Sequence, residues 1–161
     1  MAVVVSDTSP IRALAHLASL DLLRHLFGEV LIPPAVAREL GRSLSGPGTV
    51  DVLKLGYIRV ETPQDQRRVQ EFGRKLDPGE AEALALALEV HAEAILIDEA
   101  AGRAMAKQLG LRVVGVLGTL VRAKQRGLIA SIRPLLDRLQ NEFGFYISAS
   151  VRAEVLRLVG E

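Results

Sequence analysis

The chain has no cysteine and no tryptophan, and only two tyrosines and four phenylalanines in 161 residues. Without cysteine there is no disulfide, no thiolate zinc site and no cysteine nucleophile. So few aromatics leave little for stacking on nucleobases. No apolar run reaches the roughly 18 residues that span a bilayer, so no membrane partner is expected. No basic leader precedes Ala2-Val3-Val4-Val5, and without a signal-peptide pattern a cytoplasmic location is expected. There is no P-loop, and Gly46-Pro47-Gly48 is too little for a dinucleotide fingerprint. His16, His25 and His91 are too far apart in sequence to form a zinc-type pair. Charge of one sign is also lacking: 20 Lys and Arg stand against 19 Asp and Glu, a net +1.

What is present reads as a globular α/β chain. Hydrophobic residues make up 49% and charged residues 24%, and the length suffices for one core, so a single domain over residues 1–161 is expected. Short apolar runs at residues 2–7, 29–32, 57–60, 94–98 and 111–115 read as strands, the one at 57–60 at a sheet edge. Helices are expected between and after them, at 11–18, 20–27, from Pro33-Pro34 through Leu40, at 64–76, 77–91, 99–109, 118–126, 132–143 and 148–159. Ser9 and Pro10 read as N-cap and first residue of the first helix. Residues 41–48, rich in Ser, Gly and Pro, read as the most flexible loop, and 50–55 as a helical turn or two. Strands separated by helices predict a mostly parallel central sheet flanked by helices.

Four acids carry the chemistry this pattern offers: Asp7, Glu39, Glu80 and Asp98. Asp7 and Asp98 close two apolar strands, and the functional crevice of an open α/β sheet lies beyond the carboxyl ends of its strands. Glu39 rides on the helix after the second strand, and Glu80 on the first turn of the helix before the fourth, so topology points all four toward one edge. Carboxylates gathered there repel one another unless a cation neutralises them. A hard divalent ion, Mg2+ or Mn2+, takes carboxylate oxygens and keeps several waters, and it suits phosphodiester hydrolysis. Each acid also has a structural use. Asp7 can cap the first helix, Glu39 can pair with Arg42, Asp77 and Glu80 match a capping box, and Asp98 can cap the helix at 99–109. The basic residues Arg103, Lys107, Arg112, Arg122, Lys124, Arg126, Arg133 and Arg138 suit either a polyanion or solvated helix faces.

The ordered set Val4-Val5-Ser6-Asp7-Thr8-Ser9-Pro10, Glu39, Gly79-Glu80-Ala81-Glu82-Ala83, Ile97-Asp98-Glu99 and Gly102-Arg103 resembles the PIN-domain proteins. The likeness extends through Gly115-Val116-Leu117-Gly118, Ala123-Lys124-Gln125-Arg126-Gly127 and the last helix, and is nearest to a prokaryotic PIN-like subgroup related to VapC toxins. It implies a PIN-like three-layer sandwich and a metal-dependent endoribonuclease with Asp7, Glu39, Glu80 and Asp98 as catalytic and metal-binding residues. Thr8 or Ser9 would offer a hydroxyl to Asp7 from behind, with Glu99 and Arg103 in supporting positions. The resemblance also implies an RNA substrate, a homodimer and an antitoxin protein as partner in a toxin–antitoxin pair. The apolar positions Leu14, Leu17, Leu22 and Leu26 are read either as that dimer's interface or as core.

Three departures from the family's pattern bear on activity. Glu80 stands where many members have Asp, Leu96 where a hydroxyl residue is common, and no further acid occurs at Ala100, Ala101 or Gly102. They motivate a rival expectation, a catalytically decayed PIN-fold module that binds nucleic acid or protein. An aspartyl-phosphate phosphatase is disfavoured, because Ser9 occupies the place of the second acid such an enzyme needs.

Overall fold

The computed structural model describes residues 3–42 and 51–161, so most of the loop expected at 41–48 lies outside the described residues. In chain order the elements are β1 (Val3–Ser6), α1 (Thr8–His16), α2 (Leu22–Phe27), β2 (Glu29–Ile32) and α3 (Pro34–Arg42). A single 3-10 turn, Val52–Lys54, precedes β3 (Ile58–Val60), α4 (Gln66–Phe72), α5 (Pro78–Glu89) and β4 (Ala94–Leu96). The chain continues through α6 (Ala100–Gln108), β5 (Val113–Val114), α7 (Val116–Gln125), α8 (Arg133–Asn141) and α9 (Ala149–Leu158).

The five strands form one sheet in the order β3-β2-β1-β4-β5. Every pairing is parallel, with Val4 opposite both Val30 and Ala94 and Ile95 opposite Val113. The sheet expected to be mostly parallel is thus wholly parallel, and β3 is an edge as expected. Because side chains alternate along a strand, each buried strand feeds two cores. Val4, Val30, Ile32, Ala94 and Leu96 pack on one face with α1, α2, α7 and α8. Val5, Leu31, Ile95 and Ile97 pack on the other with Leu84, Leu86 and Ala106 of α5 and α6. The result is a three-layer sandwich. Both faces being covered explains why the strands read as continuous apolar runs rather than alternating ones. Truncating a wholly buried member such as Ile95 to Ala would cost about 2–5 kcal/mol.

Helix starts follow their local chemistry. The Asp77 carboxylate accepts the Glu80 N–H at 2.8 Å behind Pro78, and Ser148 Oγ accepts the Val151 N–H at 3.2 Å. Several boundaries shift by a residue or more from expectation, two of them for a clear local reason. Helix α1 begins at Thr8 with Asp7, not Ser9, in the cap position, and Pro10 sits inside the first turn, where no N–H is needed. Helix α4 ends at Phe72 instead of 76, because the chain turns at Gly73 and tucks Leu76 into the core beside Leu84 and Leu86. Leu14, Leu17 and Leu22 are buried in the core, and the partly exposed Leu26 packs against it. Among the described residues no helix is long and apolar enough to cross a membrane.

The strand order sets where a site can be. From β1 the chain moves outward through β2 to β3, then returns to β4 on the other side of β1 and moves on to β5. With right-handed crossovers, α1 leaves the end of β1 toward one face and α6 leaves the end of β4 toward the other. The gap between those two departures is the topological switch point, where open α/β sheets bind ligands. Asp7 and Asp98 follow the two strands that flank it.

Candidate active site

Asp7 is fixed from its backbone. Its N–H donates to the Leu96 carbonyl at 2.9 Å, which ties the end of β1 to β4. Its φ and ψ of −79° and 177° hold it extended in the cap position of α1, where its carboxylate makes no standard capping bond and meets only the Thr8 amide. Asp7 is 4% exposed, and burial pushes the carboxyl up to about 7, with the Thr8 amide opposing and the charges of Asp77, Glu80 and Glu39 adding to the rise.

Those three charges identify its neighbours. Glu39, half-buried on α3, accepts a hydrogen bond at Oε2 from the Thr8 hydroxyl. The expectation that Thr8 would serve Asp7 is thus corrected: α3 lies across the first turn of α1, and the hydroxyl meets Glu39 first. Arg12 Nη2 donates to the Glu39 carbonyl at 3.1 Å, clamping α1 to α3 from outside. Gly79, in the first turn of α5, lies against both acids. A β-carbon there would stand 3.0 Å from Glu39 Oε1 and 3.2 Å from Asp7 Oδ1. The absent side chain lets the two carboxylates converge on one point.

Glu80 follows directly and is 6% exposed. Burial raises its pKa first, then the charges of Asp77, Glu99 and Glu39, while the Asp77 hydrogen bond opposes. Asp77 reads in the sequence only as a cap, yet its charge bears on both Asp7 and Glu80. Ser9 lies half-buried in the first turn of α1.

Asp98 faces another way. Its Oδ1 accepts the Val116 N–H at 3.1 Å, so it caps α7 across the sheet; the cap position of α6 belongs to Glu99. Its Oδ2 is buried with no hydrogen-bond partner. Arg103 Nη1 donates to the Ile97 carbonyl at 3.0 Å beside it. Burial raises the Asp98 pKa, the Val116 amide and Arg103 oppose, and Glu99 adds. The structure therefore brings Asp7, Glu39 and Glu80 together and sets Asp98 to one side. The exposed Glu99 is the charge felt by both Glu80 and Asp98.

This acid-lined switch point of a five-stranded parallel sheet has a counterpart among known families: a PIN-domain family model matches residues 3–161. The chain belongs to the PIN-domain family. A search of the curated proteins returns no match. PIN domains are generally nucleases that use divalent metals. The donors of this PIN domain fit such an ion in kind. All are carboxylate oxygens, the Asp7 carboxyl is held near neutrality by burial and like charge, and Asp98 Oδ2 lacks a partner. Among the described residues no group of three or more acidic or histidine side chains is spaced to share one ion. An ion would thus be held by one or two carboxylates directly and by the rest through water, the ordinary habit of Mg2+.

Proposed function

We propose that this PIN domain is a metal-dependent endoribonuclease, with Asp7, Glu39, Glu80 and Asp98 holding Mg2+ or Mn2+. The observation that carries the reading is the convergence of the Asp7 and Glu39 carboxylates on the bare α-carbon of Gly79, with Glu80 next in the chain. Two such acids, one of them raised to about 7, are arranged at a cost that a bound cation would offset in place of a proton.

The bound ion supplies charge neutralisation at the scissile phosphate and a bound water of lowered pKa. The chain's own groups position it. Thr8 orients Glu39 by its hydroxyl, and Asp77 pins the first turn of α5 and with it Gly79 and Glu80. Asp98, set to one side and held by Val116 and Arg103, would reach the ion through water. Asp7 has to be ionised to bind, so activity rises as pH climbs through the neutral range. A toxin role with an antitoxin protein, and a homodimeric form, belong to the same proposal and rest on the family resemblance.

A second reading is favoured by the orientation of Asp98, whose Oδ1 is engaged in capping α7: a PIN fold that binds RNA or protein without cutting. Incubating full-length protein with matched single-stranded RNA and DNA, under Mn2+, Mg2+ or EDTA, separates the two. RNA cut only with metal is the expected result. Folded protein that binds Mn2+ and RNA yet cuts neither strand would move the conclusion to the binding module.

A further inference from the structure

Helix α3 carries Ala35, Arg38, Glu39 and Arg42 at the i, i+3, i+4 and i+7 spacing that sets side chains on one helix face. All four line a groove of about 160 Å3 whose other wall is Pro78, the first residue of α5. The face that brings Glu39 to the other acids therefore also brings two guanidinium groups. Next to Pro78, Gly79 lies against Glu39 Oε1 and Asp7 Oδ1, so the groove adjoins the proposed metal site.

Both arginines are available to an anion. The Arg38 side chain is 64% exposed, and its ion pair with Glu82 spans 3.8 Å. An exposed pair of that kind is worth at most about 1 kcal/mol, and Glu82 also accepts the Ala35 N–H at 3.3 Å. Arg42 is exposed in the last turn of α3 and forms no ion pair among the described residues. Arg12 differs, because it is spent on the Glu39 carbonyl, one of the last carbonyls of α3. The groove falls below the roughly 300–1,000 Å3 of small-ligand sites, too little for a whole nucleotide. It suits the phosphates of a strand lying across it, since planar guanidinium groups match phosphate oxygens in geometry. Carboxylates repel phosphates, and a bound ion offsets that only at the scissile one, so cations alongside hold the rest of the strand.

We propose that Arg38 and Arg42 form a backbone-binding rim, one helical turn apart, that holds RNA phosphates beside the scissile one and lays the strand over Glu39. The assignment rests on the ribonuclease reading and deepens it to how the substrate is held. Phosphate contacts carry no sequence information, and no aromatic residue lines the groove, so this rim holds a single strand of any sequence. The two arginines are binding residues that touch no reacting atom.

The test measures binding of the full-length protein to fluorescein-labelled oligo(A) and oligo(U) RNA by anisotropy, in EDTA and over a range of salt. Each phosphate contact on a single strand adds about 0.7 to the slope of log affinity against log salt. Arg42→Gln should flatten that slope by about 0.7 and weaken binding about fivefold at about 0.1 M salt. The double variant Arg38→Gln, Arg42→Gln should flatten it by about 1.4 and weaken binding roughly 25-fold. Replacing both by lysine keeps the charge and should keep the slope. Lys107→Gln removes an equal charge from the exposed last turn of α6, at the opposite edge of the sheet, and should leave the slope unchanged. An unchanged slope in the double variant, an equal drop in Lys107→Gln, or a loss confined to one of the two RNAs would overturn the proposal. Because the titration excludes metal and reads no cleavage, its failure is separable from failure of the ribonuclease reading, which depends on cutting under Mn2+.

Discussion

Gly115 leaves the space that the Asp98 carboxylate fills: a β-carbon there would stand 2.5 Å from Asp98 Oδ1 and 2.8 Å from Arg103 Nη1. Its φ of −103° is open to any residue, so the requirement is close approach rather than backbone freedom. Gly115→Ala should push the carboxylate off the Val116 N–H, costing about 1–2 kcal/mol for the lost charged hydrogen bond. RNA cleavage should fall more than tenfold with the circular dichroism spectrum unchanged. Full activity in this variant would mean that the position of Asp98 is immaterial.

Asp7 makes the metal-free protein pH-sensitive. Its folded pKa, about 7, lies above the unfolded value of about 3.9, so the folded state binds the extra proton between those values. Stability from this group is present below about pH 4 and is lost as pH rises toward 7. In EDTA, Asp7→Asn should remove that decline and raise Tm at pH 8, by a free energy on the order of a few kcal/mol. Added Mn2+ should stabilise wild type and not the variant. Parallel pH profiles of Tm for the two proteins would contradict the shift.

Much of this site is legible in the amino-acid sequence, for a physical reason. Asp7 and Asp98 close the two apolar runs that flank the switch point, and Asp77-Pro78-Gly79-Glu80 is a local capping pattern whose geometry is fixed within four residues. What the sequence does not reveal is tertiary. That Asp98 caps α7 and not α6 depends on β5 lying beside β4 and on the bare Gly115. That Thr8 serves Glu39 depends on where α3 crosses α1, which no local spacing encodes. The same holds for Leu14, Leu17 and Leu22, since an apolar helix face looks alike whether it meets its own sheet or a second copy.

Thr8 separates positioning from capping. Thr8→Val keeps the shape and removes the hydroxyl that orients Glu39. It should lower kcat by about tenfold while changing stability by roughly 1 kcal/mol, and Thr8→Ser should recover most of the rate. A loss of stability with no change in kcat would make Thr8 purely structural.

Far from the crevice, Glu161 closes the start of α8. Its carboxylate accepts from Ser131 Oγ at 2.5 Å and from the Ile132 N–H at 2.7 Å, with Lys124 Nζ 3.7 Å away. The backbone bond to Ile132 and then the Ser131 hydroxyl pull its pKa down to about 2. The stabilisation is therefore present above the unfolded carboxyl value of about 4.3 and is lost as pH falls through about 2. Glu161→Gln should lower Tm at pH 7, with the gap to wild type closing in acid. A gap that stays constant across that range would rule out the charge as its source.

Everything proposed for the crevice depends on the carboxylates beyond β1 and β4 binding the metal that cuts RNA. Measuring Mn2+ affinity and Mn2+-dependent cleavage of a fluorescent single-stranded RNA by wild type, Asp7→Asn and Asp98→Asn tests this at its root. Cleavage should be abolished and Mn2+ binding sharply weakened in both variants, each still folded. Undiminished cleavage in either would contradict the metal site.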